Sequence, residues 1–415
     1  MADAHSPRAT RPHCPDCGPA GVASHAVERW SVRIDGVLGV LQLPMAAIWR
    51  VTRPAVAATR PGRITPSTAR LAAALGAGAV IERPDKESTA HAAVLWREAE
   101  RRGIAMREFR PFGLPRELFW ASYGDDTRGF DGLPRPRTAN DRALEWMDDK
   151  GIILKRFRKA GIPVPRGGSY ATLARAERAF DAIARDGRAV IVKPSIGSRS
   201  RHTFTNITDA AALRRAFKSA KQLSPRAIVE EEIPGFVFRV TFVNGRVEGI
   251  MRREPPHVIG DGASTVRELV DRENENPARR GPVFSPIVFG AEARAMLDAQ
   301  HLAPDSIPEA GRMVPLHPKV SRLYGASTTE IAFADVHPDN AAMFKTIAET
   351  VDDPLFGVDI IMESMARSWR DQPCGIIECN SLPAIDVHHV PLRGTPRDVA
   401  GAVWDMIFPA SKIKK

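Results

Sequence analysis

The sequence predicts an α+β protein, and three observations point to it. From Asn140 onward, runs with helical spacing alternate with short apolar runs of strand length. Asn244-Gly245 stands between the apolar runs 237–243 and 246–251, the strongest short hairpin signal. Two further strand-like runs, around Val358-Asp359-Ile360 and Ile376-Ile377-Glu378, carry acids that an ordinary core strand avoids.

In chain order, residues 1–28 are rich in Pro, Ala, Arg and His without periodicity and read as a flexible arm. Residues 29–139 read as a small α/β domain. Its helix is expected over 87–102, with Ala92, Leu95, Trp96 and Ala99 on one side, and a strand over 104–109 follows Gly103. The Gly/Pro/Arg stretch 129–137 reads as a linker. A larger domain spans 140–410, leaving 411–415 as a tail.

Within the larger domain a helix carrying Lys150 and Lys155 runs to about Ala160 and stops at Gly161-Ile162-Pro163-Val164-Pro165. Thr172 is expected to cap a second helix, with Leu173, Ala176, Phe180 and Ile183 on one face. The run Ala189-Val190-Ile191-Val192 then delivers Lys193 and Pro194 into a small-residue loop, 195–201. A third helix near 209–222 leads to the strand Ala227-Ile228-Val229 and the acids Glu230, Glu231 and Glu232. Asp339 is expected to cap a helix beginning at Asn340, and Thr395-Pro396 reads as N-cap and first helical residue.

The summed composition, 43% hydrophobic and 26% charged, is that of an ordinary globular protein. A formal charge of +10 is spread along the chain, with no Lys/Arg block interleaved with aromatics, so no nucleic-acid partner is expected. The apolar stretch 37–49 contains Gln42 and Pro44 and is too short to span a membrane, and residues 1–25 lack a signal-peptide core. A cytoplasmic protein without a membrane partner is the expectation. Of the 4 cysteines, Cys14 and Cys17 in His-Cys-Pro-Asp-Cys form half a zinc knuckle with no second half in sequence. They read as reduced thiols in the arm.

Two stretches carry chemistry. A lysine launched from a strand into a loop of small residues suits phosphate, because backbone N–H groups can approach the oxygens while the ammonium neutralises them. The loop is not a Walker A, and no Gly-x-Gly-x-x-Gly opens a helix. Glu378 and Asn380, two apart on a strand, share a face. Antiparallel pairing of their run with that of Asp359 would set two carboxylates and an amide oxygen together, a donor set for a hard cation such as Mg2+. Solvated acids on edge strands are the other reading of those residues alone.

The order of the pieces adds more. Asp149-Lys150, Gly161-Ile-Pro-Val-Pro165, Val192-Lys193-Pro194, Val229-Glu-Glu-Glu-Ile-Pro-Gly235, Val258-Ile-Gly-Asp-Gly262, Val336-His-Pro-Asp-Asn340, Val358-Asp359 and Glu378-Cys-Asn-Ser-Leu-Pro383 succeed one another. This series resembles the ATP-grasp superfamily and, more narrowly, the ATP-grasp region of the cyanophycin synthetase family, over roughly residues 140–409. In that family a Mur-ligase-like domain follows; here the series closes near Lys415 and that domain is not expected. The resemblance implies an ATP-grasp fold, two α+β lobes clamping ATP.

It also implies roles. Lys150 and Lys193 would contact the nucleotide phosphates, with Ser195, Gly197 and Ser198 in the phosphate loop. Glu230, Glu231, Glu232 and Ile233 would border the nucleotide along the hinge strand. Asp359, Glu378 and Asn380 would hold Mg2+, with Mn2+ as a substitute. Arg253, and more weakly Arg239, would stand at the acyl end. The implied reaction is ATP-dependent joining of a carboxylate to an amine through an acyl phosphate. The substrates would be small molecules or peptides, acidic ones being the first expectation from the positive charge, and a homo-oligomer is compatible with the resemblance.

The sequence departs from the family pattern in three places. The loop 197–201 keeps one glycine, and Val237 stands where an acid is usual, with Glu231, Glu232 or Glu248 as replacements. The segment 324–330 is poorer in glycine and is expected to border the acceptor. A catalytically weak nucleotide-binding scaffold is therefore the alternative function. His388 and His389 read as strand and turn residues, and Trp120 and Tyr123 as core or as lining of the substrate cleft.

Overall fold

The computed structural model describes Cys14, Asp16, His25 and residues 65–136, 145–197, 201–280, 283–318, 320 and 322–413. They fall into two compact units, each assembled from separated stretches of chain. The first comprises 1–61, 141–233 and 374–381; the second comprises 62–140, 234–373 and 382–415.

The first unit is built on a four-stranded antiparallel sheet in the order Gly167–Tyr170, Ala227–Glu231, Val190–Pro194, Phe204–Ile207. Helix Leu173–Ala184 buries Ala176, Phe180 and Ile183, and helix Ala210–Ala220 buries Leu213, Ala216, Phe217 and Ala220. These i, i+3 and i+4 stripes close on Val190, Val192, Ala227 and Val229 of the sheet to make one core. Asp209 caps the second of these helices through Ala212 N at 2.8 Å. Thr172 occupies the N-cap position of the first but makes no side-chain cap bond. Helix Lys150–Lys159 packs against the strand Cys374–Asn380, whose Ile376 N donates to Pro163 O at 2.9 Å. Gly375 lets these segments approach closely: a Cβ there would lie 2.4 Å from Ile233 Cδ1 and displace the end of that side chain.

In the second unit, Phe236–Val243 pairs antiparallel with Arg246–Glu254 and with Leu355–Met362, and Ser327–Glu330 adds to Arg246–Glu254. The hairpin falls where Asn244-Gly245 predicts it, with both residues at positive φ (49° and 74°). That is the primed turn whose twist matches the strands, and glycine meets its second position without strain. A separate antiparallel sheet runs Gly78–Ile81, Ala105–Pro111, Leu118–Tyr123, Asp126–Asp131. Its helix Ala90–Arg101 buries Leu95 and Trp96 in one core with Val403 and Trp404 of helix Val399–Ile407. Trp404 Nε1 donates to Leu95 O at 3.0 Å, satisfying the one polar atom of a fully buried indole. The 65–136 stretch thus shares its core with residues from the far end of the chain.

Several local readings need correction. The N-cap of helix Pro338–Val351 is His337, whose Nδ1 accepts from Asp339 N at 3.2 Å; the Asp339 carboxylate instead accepts from Ser368 Oγ at 2.5 Å. Helix Val399–Ile407 starts after Asp398, whose Oδ1 accepts from Gly401 N at 2.8 Å, so Thr395-Pro396 does not begin it. A carboxylate three residues before a free helix N–H caps it better than a threonine farther upstream. His388 and His389 close a short helix, Asp386–His389, rather than a strand or turn. Of the 324–330 segment, Ser327–Glu330 is a strand paired with Arg246–Glu254.

Candidate functional site

Lys193 leaves the end of strand Val190–Pro194, and Ile191, two residues back on the same face, stands opposite Glu230 in the register. Its Nζ lies 2.5 Å from Glu230 Oε1 and donates to Ile377 O at 3.3 Å. Both side chains are buried, at 6% and 1% exposure. Oε1 has no hydrogen bond of good direction among the described residues, yet the ion pair holds, because the charge attraction depends on distance and the hydrogen bond also on angle.

Lys150 is the first residue of its helix. Asp149 caps that helix, its Oδ1 accepting from Gly151 N at 2.8 Å and from Ser195 Oγ at 2.6 Å. The capping acid thereby ties the helix start to the residue after Pro194. Lys150 Nζ donates to Gly197 O at 2.9 Å and lies 3.5 Å from Glu378 Oε2. The helix N-terminus and two lysine ammonium groups, each facing a carboxylate, give this corner of the first unit N–H donors for carboxylate or phosphate oxygens.

Glu378 and Asn380 stand on strand Cys374–Asn380, and Ser381 anchors its end by donating from N and Oγ to Asp148 at 3.0 and 2.7 Å. Asn380 Nδ2 is buried without a hydrogen-bond partner among the described residues. An orphaned buried amide beside a carboxylate on the same face fits a site completed by a bound group. The carboxylate and amide oxygens suit a hard cation, and the orphan N–H suits a phosphate oxygen. Sequence reasoning did not assign Asp148 and Asp149 to this corner. The acids just ahead of a helix were the available signal.

The second unit holds a different cluster. Asp359 sits directly across from Arg239 in the ladder, and its Oδ2 accepts from Arg239 Nη2 at 3.0 Å while Oδ1 accepts from Nε. Arg253 Nη1 is 3.6 Å from the same Oδ2, and its Nη2 donates to Val320 O at 2.9 Å. Of the expected site residues, Asp359, Arg239 and Arg253 therefore meet in one unit, and Lys150, Lys193, Ser195, Gly197, Glu230, Glu378 and Asn380 belong to the other. Ser198 lies outside the described residues.

Other expected residues are engaged locally. Glu231 accepts from Arg166 N at 2.9 Å, Arg166 Nε at 3.0 Å and Arg188 Nη1 at 3.0 Å. Glu232 accepts from Asn206 N at 2.7 Å, and Ile233 is buried. Trp120 packs with Ala69 and Phe109, and Tyr123 Oη donates to Ala410 O at 3.1 Å, so both anchor the core. His388 is fully buried, 2.8 Å from both Thr241 Oγ1 and Glu330 Oε2. His389 Nε2 accepts from Ala400 N at 3.0 Å. Burial holds the His389 imidazole below its ordinary pKa, and burial pushes the Cys374 thiol up to about 12.

The chain has the ATP-grasp fold. It superposes on a bifunctional glutathione synthetase from Pasteurella multocida with a TM-score of 0.55 and 21% identity, over 77% of this chain and 44% of that one. In sequence it is similar to the cyanophycin synthetase of Nostoc sp., 29% identical over 316 residues, or 75% of this chain and 34% of the relative. The cyanophycin synthetase of Crocosphaera subtropica is 32% identical over 273 residues, 64% of this chain and 31% of that protein. A glutathione biosynthesis bifunctional protein of Listeria innocua is 28% identical over 326 residues, 76% of this chain and 41% of it. The chain thus spans about a third of the length of the cyanophycin synthetases it matches. No family model matches. No helix among the described residues is long and apolar enough to cross a membrane.

Proposed function

We propose that the chain is an ATP-dependent carboxylate–amine ligase. The observation that carries this reading is the first-unit corner, where two buried lysines, a helix N-terminus, Glu378 and the orphaned Asn380 amide stand together in a chain similar to ligases. Lys150 and Lys193 neutralise phosphate oxygens, and Gly197 lets the backbone approach them. Arg253, with Arg239 behind it, orients the donor carboxylate. Glu378 and Asn380 in the first unit would hold Mg2+, or Mn2+ in its place, which would supply charge neutralisation for phosphoryl transfer. The resemblance gives Asp359 the same role.

In the proposed reaction a carboxylate oxygen attacks the γ-phosphorus and the bond to ADP breaks, leaving an acyl phosphate. The acceptor amine then attacks the acyl carbon, loses a proton and expels orthophosphate. Acidic small molecules or peptides are the first substrates to try, since the chain is basic overall. The test is orthophosphate release from ATP and Mg2+ with pooled carboxylates and amines. Release that depends on both substrates supports the ligase. If ATP binds and no pool releases phosphate, the chain is a nucleotide-binding scaffold and the ligase reading fails.

A further inference from the structure

The half zinc knuckle at Cys14 lacks a second cysteine pair in sequence, but the fold supplies partners of another kind. His25 and His202 are buried, at 4% and 0% exposure, and their Nε2 atoms are 3.2 Å apart. Cys14 Sγ lies 3.6 Å from His202 Nε2, and the three ligand atoms all fall within 4.8 Å of one another. All three residues belong to the first unit. Asp16 O accepts from His202 N at 2.9 Å and its Oδ2 accepts from Ser219 Oγ at 2.6 Å, so this part of the N-terminal segment is held in place.

The proton positions follow from chemistry. Ser219 O, 2.9 Å from His202 Nδ1, can only accept, so Nδ1 carries the hydrogen and Nε2 presents its lone pair to Cys14 and His25. A histidine whose far nitrogen is oriented by a backbone carbonyl is the usual arrangement behind a metal ligand. The spacing agrees as well. A tetrahedral ion with Zn–N near 2.05 Å and Zn–S near 2.3 Å sets its nitrogens about 3.3 Å apart and nitrogen and sulfur about 3.6 Å apart. Two of the three observed separations match, 3.2 Å between the nitrogens and 3.6 Å from Cys14 Sγ to His202 Nε2, and the Cys14–His25 pair lies within 4.8 Å.

We propose that Cys14, His25 and His202 bind a divalent transition metal of the zinc class, a site separate from the Mg2+ chemistry of the ligase reading. Soft thiolate and imidazole donors select zinc over magnesium. His202 follows the phosphate-loop stretch in sequence, so the ion clips the N-terminal segment to the chain just past that loop.

The test uses the full chain, without nucleotide, loaded with Co2+ and then with Zn2+. The wild type should retain one equivalent through dialysis against excess Mg2+ and show thiolate-to-cobalt charge transfer with tetrahedral d–d bands. Cys14→Ser should abolish the charge-transfer band, and His25→Ala should weaken Zn2+ binding roughly tenfold or more. Circular dichroism of both variants checks that they fold, which keeps the test independent of His202, whose replacement at a buried position can unfold the unit. Zn2+ should raise the thermal midpoint of the wild type and leave the Cys14→Ser midpoint unchanged. The proposal is overturned if the wild type retains no metal, if Mg2+ displaces the cobalt, or if the folded Cys14→Ser, His25→Ala double variant binds it as the wild type does.

Discussion

The charged clusters of the two units use different cations, ammonium in the first and guanidinium in the second. In the first, Lys193 faces Glu230 and Lys150 faces Glu378, one cation to one anion, with an amide donor left over. In the second, the single carboxylate of Asp359 meets two guanidinium groups, Arg239 in a two-point grip and Arg253 at longer range. A balanced cluster with unspent hydrogen-bonding capacity suits a ligand that brings its own charge and counter-ion. A guanidinium, planar and able to donate two parallel N–H bonds, suits a carboxylate. On the proposed reading, the lysines of the first cluster serve the nucleotide and the arginines of the second serve the acyl donor.

The strongest break of the comparison is Glu378→Gln, which should abolish substrate-dependent phosphate release while the unfolding midpoint stays close to wild type, since the residue is partly exposed. Normal turnover in this variant would remove Glu378 from the chemistry. Next comes Lys193→Met, which strands the buried Glu230 carboxylate and should destabilise by about 3–5 kcal/mol in urea melts. Adding Glu230→Gln should recover most of that stability without recovering ATP binding. Recovery of both would make the pair purely structural.

In the second unit, Trp404→Ala should cost about 3–5 kcal/mol by removing the indole that joins helix Val399–Ile407 to helix Ala90–Arg101. Arg253→Ala, at a half-buried position, should change stability by no more than about 0.5 kcal/mol. It should still raise the KM for the carboxylate substrate. An unchanged KM would deny Arg253 its proposed role.

The smallest expected effect is a pH dependence. His389 is held neutral by burial, with Asp398, Glu98 and Asp386 raising and His388 lowering its affinity for a proton. Its folded pKa is below the unfolded value near 6.5, so the unfolded chain binds the extra proton first. The stability is present above that pH and is lost as pH falls through it. Thermal midpoints from pH 7.5 to 5.5, compared with those of His389→Gln, should show the wild type falling more steeply; equal slopes would locate the titration elsewhere.

Much of this was legible in the residues themselves. Asn244-Gly245 specified its turn, Asp209 its helix start, and Phe180 and Ile183 the buried face of theirs, because dihedral preferences, caps and periodicity act over a few residues. The collinear series of eight motifs, with Lys150, Lys193, Asp359 and Glu378 among them, carried the expectation of an ATP-grasp fold. Local chemistry misled where two acceptors competed for one helix end, as with Thr395 against Asp398 and Asp339 against His337.

Tertiary structure alone decided the partners. No local signal pairs Lys193 with Glu230, sets Arg239 across from Asp359, or brings His202 to Cys14 and His25. Nor does any show that 62–140 shares a unit with 234–373 and 382–415. Such contacts depend on strand register and core packing between segments far apart in the chain, and a charged side chain reveals its role only when the group that offsets its burial is in place.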